Sequence, residues 1–286
     1  MRMSSESRKT IKAGVIGWPV NHSLSPRLHG YWLRHYGIDG VYLPLPVAPE
    51  DIENEIRALP ENGFAGANVT VPHKEAAFKT VDVLSDTATR IGAVNTIVCG
   101  KDGLLYGDNT DAFGFMENIR AAVPDWTPAA SPAAVLGAGG AARAVIAALI
   151  EAGVSDIRLT NRTRDRAERL ARHFGLAVHP VAWEGRHDAV DGAGLLVNTT
   201  TLGMTGKPPL DIGLSGLRPD AVVNDIVYTP LQTPLLHAAA TAGYQAVDGL
   251  GMLLHQARPG FEAWFGKRPE VTDALRRHVL TKPGAE

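Results

Sequence analysis

The chain has 286 residues, of which 45% are hydrophobic and 20% charged, and its formal net charge is −2. These values suit a globular protein with room for two ordinary domains, and the charge favours neither nucleic acid nor an anionic membrane as a partner. The single cysteine, Cys99, excludes an intrachain disulfide framework, so we expect a cytoplasmic protein. Residues 1–10 lack the apolar segment of a secretory signal and are expected to form a flexible tail. No apolar run approaches the roughly 20 residues of a membrane span.

The first part of the chain has the pattern of a mixed α/β domain. Its first helix has Ser25 as the expected N-cap and Pro26 at its first position, which suits the fixed φ of proline. Pro44 favours an edge position for the strand that contains it, because proline donates no ladder hydrogen bond. The predicted elements are strands at 13–17, 41–45, 66–71, 95–98 and 104–107, the last two forming a hairpin, and helices at 25–36, 49–59 and 74–78.

A more regular pattern follows a helix predicted at 111–122 and a Pro- and Ala-rich break at 123–132, which is a candidate domain boundary. Short apolar strands then alternate with helices, as is typical of a doubly wound parallel sheet. The predicted elements are strands at 133–136, 157–160, 177–180, 195–198, 221–225 and 245–247, and helices at 140–152, 164–174, 234–242, 251–265 and 270–280.

These patterns predict an α/β protein with two domains. The first is an N-terminal mixed-sheet α/β/α substrate-binding domain, made of residues 11–112 and 250–286. The second is a doubly wound parallel-sheet Rossmann domain, residues 113–249, and we expect a cleft between the two.

A glycine-rich loop follows the first strand of the second domain. Gly137, Gly139 and Ala142 match the pattern G-x-G-x-x-G/A between a strand and a helix. The first glycine permits a tight turn, the second lets the backbone approach a pyrophosphate, and the small third residue lets the helix pack on the strand. The helix N-terminus then offers N–H groups to the phosphates. We predict a dinucleotide site; the alternative is a turn that only packs an Ala-rich helix.

The residues after the next strand indicate which dinucleotide binds. An NAD enzyme would place Asp or Glu there, bonded to the ribose hydroxyls. This chain has Asn161 and Arg162, with Arg166 one helical turn later. Since a guanidinium binds phosphate in bidentate fashion, the pattern predicts NADP. The alternative is a solvated charged helix face, which we expect for Arg164 and Arg169.

A lysine occurs close to the end of a strand in the first domain. Residues 68–74 read NVTVPHK, so the strand should end near Val71, before Pro72, and Lys74 should open the next helix. An ammonium group can donate the proton that an alkoxide needs when a ketone receives a hydride. With the dinucleotide loop, this predicts a hydride-transfer enzyme. The alternative is an ordinary solvated lysine.

Several motifs, in this order, resemble those of the shikimate dehydrogenase family. They are SLSP at 23–26, NVTVPHK at 68–74, GAVNT at 92–96, GDNTD at 107–111, the loop at 137–142, NRT at 161–163, NTT at 198–200 and DGLGMLLHQ at 248–256. The resemblance covers residues 13–280, nearly the whole chain. It implies an NADP-dependent oxidoreductase that reduces 3-dehydroshikimate to shikimate in the shikimate pathway of aromatic amino acid biosynthesis.

The resemblance also implies roles for particular residues. Lys74 and Asp111 would form the catalytic pair, with Lys74 as proton donor or acceptor. Substrate would be bound by Ser23 and Ser25 at its carboxylate, by Thr70, Asn95 and Gln256 at its ring hydroxyls, and by Tyr228 near the nicotinamide. The implied cofactor residues are Gly137, Ala138, Gly139, Gly140, Ala141, Asn161, Arg162, Thr163, Arg166, Thr199, Gly249 and Met252. The histidines show no zinc-type spacing, so no metal site is predicted.

Several of these residues also have a purely structural explanation. Asp111 could be only a helix N-cap, Asn95 a turn residue at a strand edge and Gln256 an exposed helix residue. At the level of function, the alternatives are a quinate or quinate/shikimate dehydrogenase that uses NAD, a methylene-tetrahydrofolate-type dehydrogenase, and a non-catalytic NADP-binding sensor. We expect a small-molecule substrate, no nucleic-acid or membrane partner, and a monomer or homodimer.

Overall fold

The computed structural model describes residues 10–281, so the predicted tail lies outside the described residues except for Thr10. The chain divides into two compact units. Unit 1 comprises Met1–Thr110 and Ala257–Glu286, and unit 2 comprises Asp111–Gln256. Each unit contains one six-stranded sheet.

Unit 1 has a mixed sheet, as predicted. Its strand order is β2-β1-β3-β5-β6-β4, with β1 parallel to β2 and β3, and antiparallel pairing of β5 with β3 and β6. The strand that contains Pro44 lies at the edge, as expected. The strands are β1 (Ile11–Gly17), β2 (Gly40–Pro46), β3 (Phe64–Val69), β4 (Val83–Leu84), β5 (Thr96–Cys99) and β6 (Leu105–Asp108). The helices that precede unit 2 are α1 (Ser25–His35), α2 (Ile52–Arg57), α3 (Lys74–Thr80) and α4 (Asp86–Ile91).

Three local expectations for unit 1 were wrong. Ser25 is the first helical residue rather than the N-cap, and its backbone N–H instead donates to Ser23 Oγ at 3.2 Å. Strand β3 ends at Val69, which forms its last pair with Ile16 of β1; the hydrogen bonds from Thr70 N to Ile16 O and from Trp18 N to Val71 O continue beyond the strand. Helix α2 is shorter than predicted, because its predicted ends form turns instead.

Two short elements of unit 1 were not predicted. The two-residue β4 is too short for a periodic pattern to reveal it. Helix α4 does carry ordinary terminal signals, since Ser85 Oγ accepts a hydrogen bond from Ala88 N at 3.0 Å and Gly92 ends the helix with φ +72°.

Unit 2 has an all-parallel sheet with helices between its strands. The strand order β12-β11-β10-β7-β8-β9 reverses direction at β7, which is the arrangement of a doubly wound Rossmann sheet and confirms the predicted fold class. The strands are β7 (Ala133–Leu136), β8 (Ile157–Thr160), β9 (Val178–Val181), β10 (Leu195–Asn198), β11 (Val222–Asp225) and β12 (Gln245–Val247). The helices are α5 (Asp111–Ala122), α6 (Gly140–Glu151), α7 (Arg164–Phe174) and α8 (Pro234–Thr241). Helix α9 (Leu250–Phe265) begins in unit 2 and its residues from Ala257 onward belong to unit 1, as does α10 (Asp273–Leu280).

The central strands of unit 2 position the loops of the candidate site. Strands β7, β10 and β11 are buried along their whole length, as expected for parallel strands covered on both faces. The carboxyl ends of parallel strands meet at one edge of the sheet, so the loops that follow these strands are gathered there. Helix α10 begins three residues later than predicted and packs against α1, where Arg27 donates a hydrogen bond to the carbonyl oxygen of His278.

Candidate active site

A cavity of about 190 Å³ lies at the carboxyl edge of the parallel sheet in unit 2. The loops after β7, β8, β9 and β10 form its walls, which is where open α/β sheets bind ligands. Its lining residues are Gly137, Ala138, Gly139, Asn161, Arg162, Trp183, Thr199, Thr200, Thr201 and Leu202. Predicted cofactor residues from three separate segments of the chain, at 137–139, 161–162 and 199, therefore come together around one space.

Gly137 forms the tight turn predicted for the first glycine of the loop. Its φ is +109°, a conformation that favours glycine, and a Cβ there would lie 2.5 Å from Thr199 Oγ1. The hydroxyl of Thr199 donates to the carbonyl oxygen of Leu136 at 2.7 Å. Gly139 precedes helix α6, and a Cβ there would meet nothing within 4 Å, so its surroundings leave room above the helix N-terminus. The backbone geometry fits a phosphate group at this terminus.

The loop between β8 and α7, residues 161–163, carries the positive charge of Arg162 and no carboxylate. Asn161 is held by a hydrogen bond from its Nδ2 to the carbonyl oxygen of Thr163 at 2.8 Å. Arg164 pairs with Glu168 at 2.8 Å on the exposed surface of α7, which agrees with its expected solvated role. Within residues 10–281, no hydrogen bond or ion pair engages the guanidinium of Arg162 or Arg166. Both groups therefore lack an internal carboxylate partner that would compete with a phosphate.

Asp111 and Gln256 lie in unit 2, where α5 approaches α9. Asp111 is buried in the first turn of α5, where the helix dipole favours a carboxylate. Gly114 follows one turn later, and a Cβ there would lie 2.6 Å from the Cβ of Gln256 and 2.7 Å from the carbonyl oxygen of Met252. The lack of a side chain at Gly114 thus permits α5 to pack closely against α9. Gln256 is buried, so the alternative of an exposed helix residue is wrong.

Tyr228 and Gly249 follow the last two strands of the parallel sheet. Tyr228 comes three residues after β11, and burial raises the pKa of its phenol, so it is neutral at pH 7. Gly249 is buried against the backbone carbonyl of Ile226, which leaves no space for a Cβ. Met252 is buried in the first turn of α9.

In unit 1, Lys74 opens helix α3, as predicted. The preceding residue, His73, is buried, and its Nε2 lies 2.8 Å from the carbonyl oxygen of Val47. The carbonyl oxygen of Lys74 accepts a hydrogen bond from Val94 N at 2.9 Å. These two contacts fix the start of α3, and the side chain of Lys74 is half-buried. Thr70 follows β3 and packs closely on Gly17: a Cβ added at Gly17 would lie 2.6 Å from Thr70 Cγ2.

Asn95 is buried and its amide orientation is set by its neighbours. Its Oδ1 accepts hydrogen bonds from Thr110 N at 2.8 Å and from the hydroxyl of Thr96 at 2.9 Å. Because the Thr110 N–H can only donate, the amide oxygen of Asn95 must face it, and Nδ2 carries the donor groups of this side chain.

A buried network in unit 1 joins several predicted substrate residues. The hydroxyl of Tyr42 donates to Asn68 Oδ1 at 2.6 Å, and Asn68 Nδ2 donates to Thr96 Oγ1 at 3.1 Å and to the carbonyl oxygen of Asn95 at 3.2 Å. Burial raises the pKa of Tyr42 well above its usual value, while a hydrogen bond with Ser25 acts in the opposite direction. Ser25 and Asn95 therefore belong to one hydrogen-bonded system.

Sequence reasoning assigned no role to some residues that the structure brings to these sites. Tyr42 was seen only as part of an edge strand, and Asn68 only as part of a motif. Trp183, Thr201 and Leu202 line the cavity, although none was predicted to bind cofactor. For Trp183 the available signal was its place just after a strand of a parallel sheet, where ligand-binding loops occur. Lys74 and Asp111 lie in different units, and their pairing stays a prediction.

Comparison with known families and proteins gives consistent matches along the chain. Residues 15–97 match the shikimate dehydrogenase substrate binding domain, residues 126–201 match shikimate / quinate 5-dehydrogenase, and residues 249–280 match the shikimate 5'-dehydrogenase C-terminal domain. The shikimate dehydrogenase (NADP(+)) of Paramagnetospirillum magneticum is 62% identical over 275 residues, which are 96% of this chain and 100% of that protein.

Solved structures show the same fold. The shikimate 5-dehydrogenase of Thermus thermophilus, in complex with NADP(H) and shikimate, is 38% identical with a TM-score of 0.82, over 94% of this chain and 99% of that chain. The quinate dehydrogenase of Corynebacterium glutamicum, in complex with NAD, is 31% identical with a TM-score of 0.85, over 94% of this chain and 97% of that chain.

The Rossmann sheet and its glycine loop place this chain in the class of dinucleotide-binding α/β proteins. Its relatives are more specific: with 62% identity across nearly its full length, the chain belongs to the shikimate dehydrogenase family. The predicted family, its NADP cofactor and the enzyme class are thereby confirmed, while the residue roles stay predictions.

Residues 10–281 contain neither a candidate metal centre nor a candidate membrane span. No group of three or more His, Cys, Asp or Glu residues there is arranged to hold a metal ion. None of the helices in the same range combines the length and the apolar character that crossing a membrane requires.

Proposed function

We propose that this chain catalyses the reversible reduction of 3-dehydroshikimate to shikimate with NADPH. The observation that carries the proposal is the 62% identity, over 96% of the chain, to a protein named shikimate dehydrogenase (NADP(+)). The Thermus thermophilus relative, whose structure contains NADP(H) and shikimate, adds support. The chain's own contribution is that Asn161 and Arg162, and no acidic residue, directly follow β8, with Arg166 in the first turn of α7; this favours the 2′-phosphate of NADP.

NADPH, when bound, supplies a hydride to the substrate ketone. Gly137, Gly139 and the N-terminus of α6 would hold its pyrophosphate, and Arg162 with Arg166 would bind its 2′-phosphate. Thr163, Gly140, Ala141, Gly249 and Met252 complete the proposed cofactor residues. The hydroxyl of Thr199 is committed to the carbonyl oxygen of Leu136, so this residue would shape the pocket rather than donate to the ligand.

Lys74 would supply the proton in the reduction. As the ketone carbon receives the hydride, its oxygen becomes an alkoxide and takes a proton from the Lys74 ammonium; in the reverse direction the neutral amine accepts it. Asp111 would hold the Lys74 ammonium in position for this transfer.

Several polar residues would orient the substrate ring. Ser23 and Ser25 lie at the N-terminus of α1, where hydroxyl groups and the helix dipole suit a carboxylate. Thr70, the N–H groups of Asn95, and Gln256 would bond the ring hydroxyls. Tyr228, a neutral phenol at pH 7, would bond the substrate beside the nicotinamide.

The function is tested by steady-state nicotinamide absorbance, crossing shikimate and quinate against NADP⁺ and NAD⁺. We expect the shikimate–NADP⁺ pair to turn over far faster than the other three. Preference for quinate or NAD⁺ would instead indicate a quinate dehydrogenase, like the Corynebacterium glutamicum relative. NADP⁺ binding without turnover of any cyclic hydroxy acid would favour a non-catalytic sensor.

The catalytic role of Lys74 is tested by Lys74→Met. We expect kcat to fall by about 10²–10⁴-fold, because the proton donor is removed while the apolar stem is kept. Lys79→Met is the matched control, since Lys79 is exposed in the last turn of the same helix, and its kcat should stay within roughly twofold of the wild-type value. A Lys74→Met enzyme that keeps most of its turnover would contradict the assignment.

A further inference from the structure

Asp225 is a fully buried carboxylate at the carboxyl end of β11. Its Oδ1 accepts hydrogen bonds from Asn198 Nδ2 at 2.9 Å and from Val227 N at 3.0 Å, and its Oδ2 accepts one from the hydroxyl of Thr233 at 2.7 Å. No charged group occurs among these partners. This buried carboxylate is satisfied by three neutral donors and forms no ion pair. It therefore holds the segments that carry those donors in fixed positions.

Asn198 connects this carboxylate to the wall of the cavity by hydrogen bonds. Its Oδ1 accepts hydrogen bonds from the backbone N–H of Thr200 at 3.0 Å and from the hydroxyl of Thr200 at 2.7 Å. Its Nδ2 donates to Asp225 and also to the carbonyl oxygen of Leu202 at 3.1 Å. Both Thr200 and Leu202 line the cavity.

The carboxylate, the Thr200 N–H and the Leu202 carbonyl oxygen all require the same orientation of the Asn198 amide. Because a carboxylate can only accept, Nδ2 must face Asp225, and Oδ1 must then face Thr200. The reverse orientation would place two acceptors against each other and two donors against each other. The buried carboxylate is thus connected, through the Asn198 amide, to the loop after β10.

The same carboxylate also holds the loop after β11, which carries Tyr228. Val227 N is bound at the start of that loop and Thr233, the N-cap of α8, at its end. The two loops are further tied by a hydrogen bond from Thr205 N to the carbonyl oxygen of Thr229 at 2.9 Å. The hydrogen-bonded side chains of Asn198 and Asp225 therefore hold both loops.

We propose that Asp225 and Asn198 are positioning residues for NADP(H): together they hold the loops after β10 and β11 in the arrangement that receives the cofactor. Neither needs to touch the cofactor, since Asn198 acts through Thr200 and Leu202. The inference rests on the proposed function only for its kinetic readout, because cofactor binding can be measured without turnover.

The test uses the full chain with Asp225→Ala, Asp225→Asn and Asn198→Ala. Isothermal titration measures the Kd for NADP⁺, and steady-state kinetics measures the KM for NADPH and for 3-dehydroshikimate. We expect Asp225→Ala and Asn198→Ala to weaken NADP⁺ binding by roughly 10-fold or more. The KM for 3-dehydroshikimate should stay within about twofold of wild type in Asn198→Ala, which leaves the bonds from Val227 N and Thr233 to Asp225, and with them the Tyr228 loop, in place. Asp225→Asn keeps an oxygen that can accept from Asn198 and Val227 N, so it should recover most of the affinity.

The matched control is Asn224→Ala. Asn224 is equally buried in β11, but its Nδ2 donates to the carbonyl oxygen of Val247 in β12 at 2.9 Å and not to either loop. It should lower the melting temperature and leave the Kd for NADP⁺ near the wild-type value.

Two results would overturn the proposal. One is a Kd for NADP⁺ within twofold of wild type in both alanine variants. The other is an equal loss of affinity for NADP⁺ and shikimate with no recovery in Asp225→Asn, which is the mark of general destabilisation. If Asp225→Ala does not fold, the Kd values for NADP⁺ of Asn198→Ala and Asp225→Asn test the proposal in its place. A wild-type chain that binds NADP⁺ but does not turn over would refute the proposed function while leaving this test intact.

Discussion

At the scale of single residues, the choice between NADP and NAD depends on Arg162. It occupies the position after β8 where an NAD enzyme would have a carboxylate, and no described residue pairs with its guanidinium. Its neighbour Arg164 is engaged with Glu168, although the two arginines look alike in the sequence. Only the structure distinguishes them.

Arg162→Ala should weaken NADP⁺ binding by about 10–100-fold and leave NAD⁺ binding almost unchanged, because charge-assisted bonds to the 2′-phosphate are lost. Arg164→Ala is the control, since an exposed i,i+4 pair contributes little. Isothermal titration with both nucleotides measures the effect. Equal weakening of NADP⁺ and NAD⁺ by Arg162→Ala would show that the residue does not read the 2′-phosphate.

Asp225 makes a second residue-scale prediction, on the pH dependence of stability. Burial raises the pKa of its carboxyl from 3.8 to about 6, and the three hydrogen bonds only partly oppose this. A raised pKa means that the folded state binds the proton more tightly than the unfolded state, so stability falls as pH rises from about 4 to about 6.

Relative to Asp225→Asn, the wild-type free energy of unfolding should therefore fall by about 2 kcal/mol between pH 4.5 and pH 7. Urea unfolding of both proteins at these two pH values measures this difference, and the variant serves as the control because it lacks the titrating group. Parallel stability curves for the two proteins would rule the effect out.

At the scale of elements, close packing of α5 on α9 depends on Gly114. Gly114→Ala should destabilise the protein by about 1–3 kcal/mol, because the new Cβ would meet the Gln256 Cβ and the Met252 carbonyl oxygen at 2.6 and 2.7 Å. It should also lower activity, since Asp111 and Gln256 belong to these two helices.

Gly30→Ala is the matched control for this prediction. Gly30 also lies inside a helix, but a Cβ there would approach only the flexible end of Arg34, at 3.4 Å. Alanine should stabilise α1 by about 0.5–1 kcal/mol. Thermal unfolding of both variants provides the comparison, and a Gly114→Ala protein as stable as Gly30→Ala would refute the packing argument.

The elements also differ in how well the sequence predicts them. The bounds of β7, β8, β10, α5 and α7 agree with the prediction because each is a short apolar or amphipathic run between clear terminal residues. The end of β3 was misplaced because it depends on where pairing with β1 stops, which is at Ile16 and Val69. Strand pairing is non-local, and the pattern within one strand carries no record of it.

At the scale of the whole molecule, the two units each have their own sheet and core. We predict that they also divide the ligands, with NADP⁺ bound by unit 2 and the substrate mainly by unit 1. In hydrogen exchange, NADP⁺ alone should protect the loops at 137–139, 161–163 and 199–202, whereas shikimate alone should protect segments at 23–25 and 70–74. Arg162→Ala is the control and should reduce the NADP⁺-dependent protection. Protection of unit 1 rather than unit 2 by NADP⁺ would contradict the division.

Cellular location and assembly also belong to this scale. A cytoplasmic monomer or homodimer, without nucleic-acid or membrane partners, stays a prediction. Sedimentation of the purified chain decides between monomer and homodimer.

The sequence by itself determined the α/β class, the parallel Rossmann sheet, the dinucleotide loop and the family. These follow from local patterns, namely alternating apolar strands and helices, and a glycine motif between a strand and a helix. The tertiary structure decided which side chains meet. It separated Arg162 from Arg164, buried Gln256 beside Gly114, joined Ser25 to Asn95 through Tyr42 and Asn68, and centred two loops on Asp225 and Asn198. Such contacts join residues far apart in the chain, and their geometry is set by the packing of strands and helices rather than by local sequence.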